Sequence, residues 1–355
     1  MKPFSFQQCL VTTVSLSSLL YCAVASAQLP APSLRPDGGL WDVGTGFEFA
    51  LKENKARKTR RSISGVACHL NAGGERICLL AFDEGAQARY ATVRPNQLVP
   101  DPQPVVLASG PGELDAEAAA TDGRYLYVTG SHSAKRADCS SNPSSRHVFR
   151  LTLDPATGRG KPDSLTESDR LWDIMKTVPV LKDHVGERQC LGSEPSQRGI
   201  NIEGLAVSGE RLYFGFRGPV IDGEAWVLSV DSAALFGRAN PAPQLSRLAL
   251  GPNRGVRDLV AVKDGFLILA GPDDGASTQA LPWTLHFWDG KSSANLAASR
   301  LLATLDVSNV ALRACDSELK PEAITILEDN ADSLRVLVLS DGMCDGGPLA
   351  FTVPR

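Results

Sequence analysis

Residues 201–220 read NIEGLAVSGERLYFGFRGPV: an acidic residue, an apolar strand, a Ser-Gly-Glu turn, a second apolar strand and an Arg-Gly-Pro end. Short runs rich in Val, Leu, Phe and Tyr that are separated by glycine-containing turns predict a β-hairpin. The acid is the unusual element, because the strand that it begins is otherwise composed for burial. The same pattern recurs along the chain, which is the signature of a repeat fold.

Five copies of the hairpin pattern are present, and the acid position holds Glu117, Glu203, Asp258 and Glu322 in four of them and Ser64 in the first. Each hairpin is followed by a third strand candidate and several by a fourth. Four antiparallel strands per repeat are typical of β-propeller blades. The sequence predicts an all-β fold, a β-propeller of five four-stranded blades. A ring of six blades is the alternative, because the interval between the second and third copies is long enough to hold a divergent unit.

The domain organisation follows from this count. Residues 62–355 are predicted to form a single propeller domain, preceded by an N-terminal segment at 28–61. The chain ends on the third strand of the fifth blade, and FEFAL at residues 47–51 would supply the missing strand and close the ring. The long interval is interpreted as an insertion at about 155–199. It contains a short helix, since apolar residues of SDRLWDIMKTV, at 168–178, recur at helical spacing.

The first residues have the composition of a secretory signal peptide, Met1 to Ala27. A lone Lys2 precedes an apolar run, and Ala25-Ser26-Ala27 matches a cleavage site. A retained N-terminal anchor is the alternative. No later segment is apolar for long enough to cross a bilayer. We therefore expect a secreted or periplasmic, monomeric protein without a membrane span in the mature chain.

The net charge of −4 gives no general attraction to nucleic acid, so no nucleic-acid partner is expected. One basic run, KENKARKTRR at residues 52–61, lacks aromatic residues between the charges. Such a run is more typical of a solvated connector than of a polyanion site. The chain contains no HExxH, P-loop or GxSxG motif, so none of these three signatures identifies a reaction.

The chain has eight cysteines, of which Cys9 and Cys22 lie in the leader. An even number of the others in an exported chain indicates disulfides, and no CxxC motif indicates a metal or redox site. When the cysteines are placed on the propeller, the order of the strands favours one of the fifteen connectivities that six cysteines allow. The expected pairs are Cys68–Cys78, Cys139–Cys190 and Cys315–Cys344.

The acids that begin the inner strands lie on one face of the ring and line the central channel. Glu117, Glu203 and Glu322 are candidate metal ligands, because carboxylates that face one axis repel each other unless a cation such as Ca²⁺ or basic side chains intervene. A structural role stays open, in which each acid accepts backbone hydrogen bonds or pairs with the arginine of the next blade. Titratable groups in a concave channel form a candidate functional site.

The hairpin ends bring further polar residues to the same channel mouth. His132 is a candidate general base and Arg217 a candidate stabiliser of anionic charge. An alternative for His132 is a hydrogen-bonded structural role. The resulting rim is locally basic, so we expect a small anionic molecule or an exported protein as the partner. The candidate ligand-binding residues are Ser131, Lys135, Arg136, Arg257 and Asp258.

Two of these elements also resemble a known family. Glu117 followed by Gly-Ser-His-Ser at residues 130–133, and Ile-Glu-Gly-Leu at 202–205 followed by Arg-Gly-Pro at 217–219, resemble an exported bacterial family catalogued as domain of unknown function 3616. The resemblance implies a propeller over most of the mature chain and no established activity. A looser likeness links the Glu-Gly-Leu element to esterase-like phytase propellers, in which an acid-led strand contributes to a metal-containing channel.

Two functions of different classes are compatible with these features. The first is a binding module that uses the channel face for a ligand or an exported partner. The second is a calcium-dependent hydrolase of phosphoesters or lactones, with its site in the channel. A channel closed by apolar side chains, or acids engaged in salt bridges, would favour the binding module.

Overall fold

Five small antiparallel sheets form a ring, and this arrangement is a five-bladed β-propeller. The computed structural model describes residues 31–109, 112–192, 194, 197–275, 281–291 and 296–355. The predicted signal peptide lies outside the described residues. In the described part of the chain no helix is long and apolar enough to span a membrane.

The elements follow one another in chain order. The N-terminal segment contains β1 (Ser33–Leu34) and α1 (Glu53–Arg60). Blade one contains β2 (Ile63–Leu70), β3 (Arg76–Phe82), β4 (Gln87–Arg94) and β5 (Gln97–Val106). Blade two contains β6 (Ala116–Thr121), β7 (Tyr125–Gly130), β8 (Val148–Asp154), β9 (Arg159–Gly160) and β10 (Thr166–Ser168), and is followed by α2 (Arg170–Thr177).

The second half repeats the plan. Blade three contains β11 (Asn201–Ser208), β12 (Arg211–Gly218), β13 (Glu224–Asp231), α3 (Ser232–Leu235) and β14 (Gln244–Ala249). Blade four contains β15 (Arg254–Val262), β16 (Gly265–Pro272), β17 (Thr284–Trp288) and β18 (Arg300–Leu305). Blade five contains β19 (Lys320–Asp329), β20 (Ser333–Asp341) and β21 (Leu349–Pro354).

The inner strands close the ring around the channel. Strand β2 contacts β6, β6 contacts β11, β11 contacts β15, β15 contacts β19, and β19 returns to β2. Apolar side chains fill the five spaces between blades, and each hydrophobic cluster combines residues of two neighbouring blades. Because each blade buries one face on each neighbour, the five-blade prediction agrees with five separate interfaces.

The long interval after β8 holds more than an insertion. Strand β10 pairs with β8 and is the outer strand of blade two, so part of residues 155–199 belongs to the blade itself. Helix α2 follows, at the position that the apolar spacing predicts. Its buried residues Leu171, Ile174 and Met175 join the cluster between blades two and three. The helix therefore packs on the ring, with its apolar side as the contact surface.

The N-terminal segment closes the ring, but with residues other than those predicted. Strand β1 adds to β18 in parallel, and Asp37 N–H donates to Ala350 O at 2.7 Å along the free edge of β21. Residues 47–51 form no strand. Phe47 and Phe49 instead pack edge-on against Phe82, at 5.6 and 5.4 Å between ring centroids. These aromatic side chains are needed in the core between blades five and one, which accounts for their strand-like composition.

Asp345 connects this segment to the C-terminal blade. The carboxylate is fully buried, accepts a hydrogen bond of 2.8 Å from Phe47 N–H, and pairs with Arg60 at the end of α1. The basic run 52–61 thus contains α1, and its last arginines dock on blade five: Arg61 donates to Cys315 O. The N-terminal segment is held on the propeller by buried polar contacts as well as by apolar packing.

Candidate functional site

A β-bulge occurs at the same place in every inner strand. The pairing with the returning strand shifts by one residue around Ser64, Glu117, Glu203, Arg257 and Glu322. A bulge takes one residue out of the ladder and redirects its side chain, and bulges recur beside functional sites. These five residues are therefore the structurally equivalent positions of the ring.

This equivalence corrects the sequence alignment in blade four. The acid position there holds Arg257, and Asp258 lies one residue later. Asp258 is buried; its carboxylate accepts hydrogen bonds of 2.8 Å from its neighbour Leu259 N–H and from Ile324 N–H in blade five. Burial raises the pKa of Asp258 well above its usual range. Asp258 therefore ties two inner strands together and is not among the residues that line the mouth cavity.

A cavity of about 780 Å³ opens at the channel mouth, where the bulges lie. Its wall is polar and carries charges of both signs. The charged lining residues are Lys58, Asp83, Glu113, Asp115, Glu117, Lys135, Arg136, Glu203, Arg217, Lys320, Glu322 and Asp341. A second cavity of about 160 Å³ lies among the inner strands and is lined mostly by apolar residues such as Val66, Leu205 and Leu259. The two cavities share no lining residue.

Arginines neutralise the acids on one side of the cavity. Arg257, which is 2% exposed, lies with its Nε 2.9 Å from Glu203 Oε2 and also pairs with Glu322. Arg217 Nη1 donates to Glu203 Oε1 at 2.8 Å, and Arg217 Nε lies 3.2 Å from Asp274. Burial opposes the charge on Glu203, but Arg217 and Arg257 outweigh it, and the pKa of Glu203 is lowered. Burial raises the pKa of Glu322 to about 7, although Arg257 opposes this shift.

Glu117 lies in a different environment from the other two ring acids. No donor of the described residues forms a hydrogen bond or ion pair with its carboxyl group. Burial raises its pKa well above the usual range, and the neighbouring acids Glu203, Asp115 and Asp83 raise it further. One cavity thus contains a carboxyl group whose pKa is lowered, Glu203, and one whose pKa is raised, Glu117.

Asp83 and Asp341 also line the cavity, and neither was predicted from the sequence. Each directly follows the residue of the returning strand that pairs beside the bulge. Arg217 has the same place in blade three. The residue that follows the bulge's pairing partner on the returning strand is thus a second repeated position. Comparison of the repeats at this position would have located both acids in the sequence.

The other predicted site residues fall into two groups. Lys135 and Arg136 line the cavity, and Arg136 pairs with Asp274 at 2.7 Å. Ser131 and His132 do not line it. The Ser131 hydroxyl donates to Asp115 and so orients this lining acid from a position outside the cavity lining.

His132 is fully buried, and its Nδ1 lies 2.9 Å from Gly130 O. Burial lowers its pKa to about 4. This buried, hydrogen-bonded position outside the cavity lining is compatible with the structural role that the sequence left open for His132.

The predicted calcium ligands are not assembled around one point. In the part of the chain that the structure describes, no group of three or more His, Cys, Asp or Glu side chains has the arrangement of a metal site. Arg257 pairs with both Glu203 and Glu322, which supplies the positive charge that the sequence assigned to a metal or to basic neighbours. The acids of this side are engaged in salt bridges.

The three disulfides are those predicted: Cys68–Cys78, Cys139–Cys190 and Cys315–Cys344. Cys139–Cys190 joins the loop that carries Lys135 and Arg136 to the loop that carries Leu191, and all three residues line the cavity. The bond therefore fixes part of the wall. Three disulfides fit an extracellular or periplasmic protein.

Several solved structures match the chain at low similarity. A protein from Lactobacillus plantarum is 15% identical, with 82% of this chain and 70% of that chain covered and a TM-score of 0.34. The arabinanase of Bacillus subtilis is 9% identical, with 82% and 94% covered and a TM-score of 0.40. An α-L-arabinanase of Cellvibrio cellulosa in complex with arabinohexaose is 11% identical, with 82% and 91% covered and a TM-score of 0.42. At this level the likeness carries no information on activity.

No curated protein matches the chain in sequence. A family model matches residues 77–153 and 163–345, which is more than half of the chain and includes the bulges at Glu117, Glu203, Arg257 and Glu322. The chain therefore belongs to the family described as protein of unknown function (DUF3616).

Proposed function

We propose that this propeller is a ligand-binding module and that the cavity at the channel mouth is its binding site. The observation that carries the proposal is the cavity itself: about 780 Å³, walled by polar side chains that the inner-strand bulges and adjacent loops present. This volume is within the range of small-molecule sites. A concave site of this size suits a small-molecule ligand better than it suits a protein partner with a flat surface.

Two further features support a binding site at the channel mouth. The inner strands approach closely below the bulges, since a Cβ on Gly65 would lie 2.6 Å from Ala118 Cα, and one on Gly204 2.6 Å from Leu259 Cδ2. The apolar cavity begins beyond this layer. In addition, Glu203 and Glu322 are held by Arg257. Acids engaged in salt bridges are one of the two features that the sequence associates with a binding module.

The test blocks the cavity without presupposing the ligand. Ala137 lines the cavity and is exposed at its rim, so Ala137→Trp would obstruct the opening. Ala156→Trp, in an exposed turn away from the cavity, is the matched control. Thermal shift and calorimetry with amines, polyols, phosphates, dicarboxylates and CaCl₂ should identify a ligand that binds wild type and the control but not Ala137→Trp. Absence of any binding, or equal binding by all three proteins, would refute the proposal.

A hydrolase is the second candidate, and the contrast between Glu117 and Glu203 favours it. The pKa of Glu117 is raised and that of Glu203 is lowered in one cavity, and such a pair can divide the roles of acid and base. His132 has no place in this scheme. Phosphoester, lactone and glycoside substrates should be assayed with and without chelator. A turnover that Glu117→Gln and Glu203→Gln both leave intact would exclude the pair.

We also propose that the protein acts outside the cytoplasm, in the periplasm or the medium. The disulfides support this location. Fractionation of cells that express the full chain, with N-terminal sequencing of the exported form, tests it. A protein that stays in the cytoplasm with its leader intact would contradict it.

A further inference from the structure

We propose that the mouth cavity binds an organic cation, with a protonated amine held by Glu117 and the acceptors beside it. This inference rests on the proposed binding function and specifies the ligand class. It replaces the anionic ligand expected from the sequence.

The cations of the cavity wall are largely engaged already. Arg217 pairs with Glu203 and Asp274, and Arg136 with Asp274. Lys320 pairs with Asp341, and Lys58 with Glu84. An anionic ligand would have to displace these carboxylates, whereas a cation would leave the pairs intact. Four of the five cationic side chains of the wall are thus paired with carboxylates in the fold, and Lys135 is the exception among the described residues.

Lys135 is an exposed cation of the wall with no ion pair among the described residues, whereas the buried wall atoms that have neither a hydrogen bond nor an ion pair are acceptors. Glu117 has no donor among the described residues, and Asp83 Oδ1 is buried without a partner. Asn201 is 3% exposed and lines the same cavity; its Nδ2 donates to Glu203 Oε1 at 3.2 Å and to Asp274 Oδ1 at 3.1 Å. These two carboxylates fix which end of the amide is nitrogen, so Asn201 Oδ1 remains as a buried acceptor without a partner. Buried acceptors without donors are rare in proteins, and a ligand that donates would satisfy them.

The chemistry of these acceptors selects an ammonium group. An ammonium carries three N–H donors and a positive charge, so it can bind a carboxylate and an amide oxygen at once. A neutral polyol would supply donors without compensating the buried negative charge. Ca²⁺ requires six to eight oxygen ligands around one point. Within the described residues the acids lack that arrangement.

Proton release should accompany binding. Glu117 on β6 is faced by Asp115 on its own segment, by Asp83 beside β3, by Glu203 on β11 and by Glu322 on β19. Burial and these acids raise the pKa of the free Glu117 carboxyl group well above its usual range. The ammonium favours the carboxylate form, so binding lowers this pKa and releases to solvent the proton fraction that Glu117 holds in the free protein. Affinity should therefore rise with pH for as long as the amine stays protonated.

The test uses the full chain and three four-carbon probes that differ only in end groups: 1,4-diaminobutane, 1,4-butanediol and succinate. CaCl₂ is the fourth probe. Calorimetry at pH 6 and pH 7.5, in buffers of different ionisation enthalpy, measures affinity and proton release. We expect the diamine to bind with proton release, more tightly at pH 7.5, and the other probes not to bind. Glu117→Gln should weaken diamine binding roughly tenfold or more, as for loss of a charge-assisted hydrogen bond.

Control variants distinguish failure of the cation assignment from failure of the proposed binding function. Glu210→Gln makes the same chemical change at an exposed site and should leave binding unchanged. Asp83→Asn is a second cavity variant, in case Glu117→Gln fails to fold. Binding of the diol or succinate that Ala137→Trp blocks would overturn the cation assignment and leave the binding function standing. Calcium binding that depends on Glu117 would assign a metal site instead. If no probe binds to wild type, the inference is refuted, and the wider ligand panel then decides the binding function separately.

Discussion

Replacement of Arg257 by methionine tests whether the bulge ring is held by one buried cation. Arg257 is 2% exposed and pairs with Glu203 and Glu322, which are also buried. Methionine fills much of the same volume, so the loss of charge dominates over any cavity that is left. Glu203 keeps Arg217, while the pair between Glu322 and Arg257 is lost. Removing one partner of a buried ion pair costs about 3–5 kcal/mol.

The expected loss is large enough to measure by melting. One kcal/mol lowers the Tm of a domain of this size class by roughly 2–4 °C, so Arg257→Met should melt on the order of 10 °C below wild type. The deficit should also depend on pH. Glu203 has a lowered pKa in the native protein and contributes stability above the unfolded value, which Arg257→Met partly removes. The pKa of Glu322 is raised to about 7, and it would rise further without Arg257.

Both shifts have the same consequence for the variant. At high pH its buried carboxylates lack the charge of Arg257, and as pH falls they become protonated and the need for a cation disappears. The difference in Tm between wild type and variant should thus be largest near pH 8 and shrink towards pH 5. Circular dichroism melting across this range measures it. Arg35→Met, which removes an exposed pair with Asp306, is the control and should leave the Tm nearly unchanged. A deficit for Arg257→Met that equals the control, or that does not vary with pH, would refute the assignment.

Three further predictions concern the scaffold. Gly65→Ala places a Cβ 2.6 Å from backbone and should cost roughly 1–3 kcal/mol in urea unfolding, whereas Gly39→Ala, with no atom within 4 Å, should change stability by less than about 0.5 kcal/mol; equal effects would contradict the close approach. Asp345→Ala should destabilise the protein by roughly 2–4 kcal/mol and speed proteolytic cleavage within residues 31–61, and an unchanged cleavage rate would show that the carboxylate does not hold the segment. Replacing Cys139 and Cys190 together by serine should cost about 3–4 kcal/mol in the chain-entropy model, checked by unfolding, and an unchanged midpoint would show that the wall loops are fixed without the bond.

The fold was predictable because its evidence is local and repeated. Each blade shows the same order of apolar strands and glycine turns, and the count of five and the order of the strands follow from it. The disulfides were predictable for the same reason, since strand order places Cys68 opposite Cys78 in one hairpin. The closing segment was not, because Phe47 and Phe49 have strand-like composition and serve the core instead. A period-two apolar pattern reports burial and not pairing.

The position of the site was predictable from the sequence, but the salt-bridge partners of its acids were not. The acid-led pattern located Glu117, Glu203 and Glu322 at the channel mouth, where they line one cavity. It misplaced Asp258 by one residue, since a bulge shifts the register without a sequence signal of its own. The salt bridges of Arg257 depend on distances between neighbouring blades, which no single repeat encodes.

Arg257 also explains why one cavity can have two chemically different sides. If all five bulge positions held acids, each would raise the pKa of the others, and the ring would hold protons equally around its circumference. With Arg257 in blade four, the acids of blades three and five gain a shared cation, while Glu117 in blade two is not paired with it. Ser64 in blade one adds no charge on the opposite side of Glu117. Two departures from the repeated acid, Arg257 and Ser64, thus turn a symmetric ring into an asymmetric site, in which acids paired with Arg257 lie across from a carboxyl group that has no donor among the described residues.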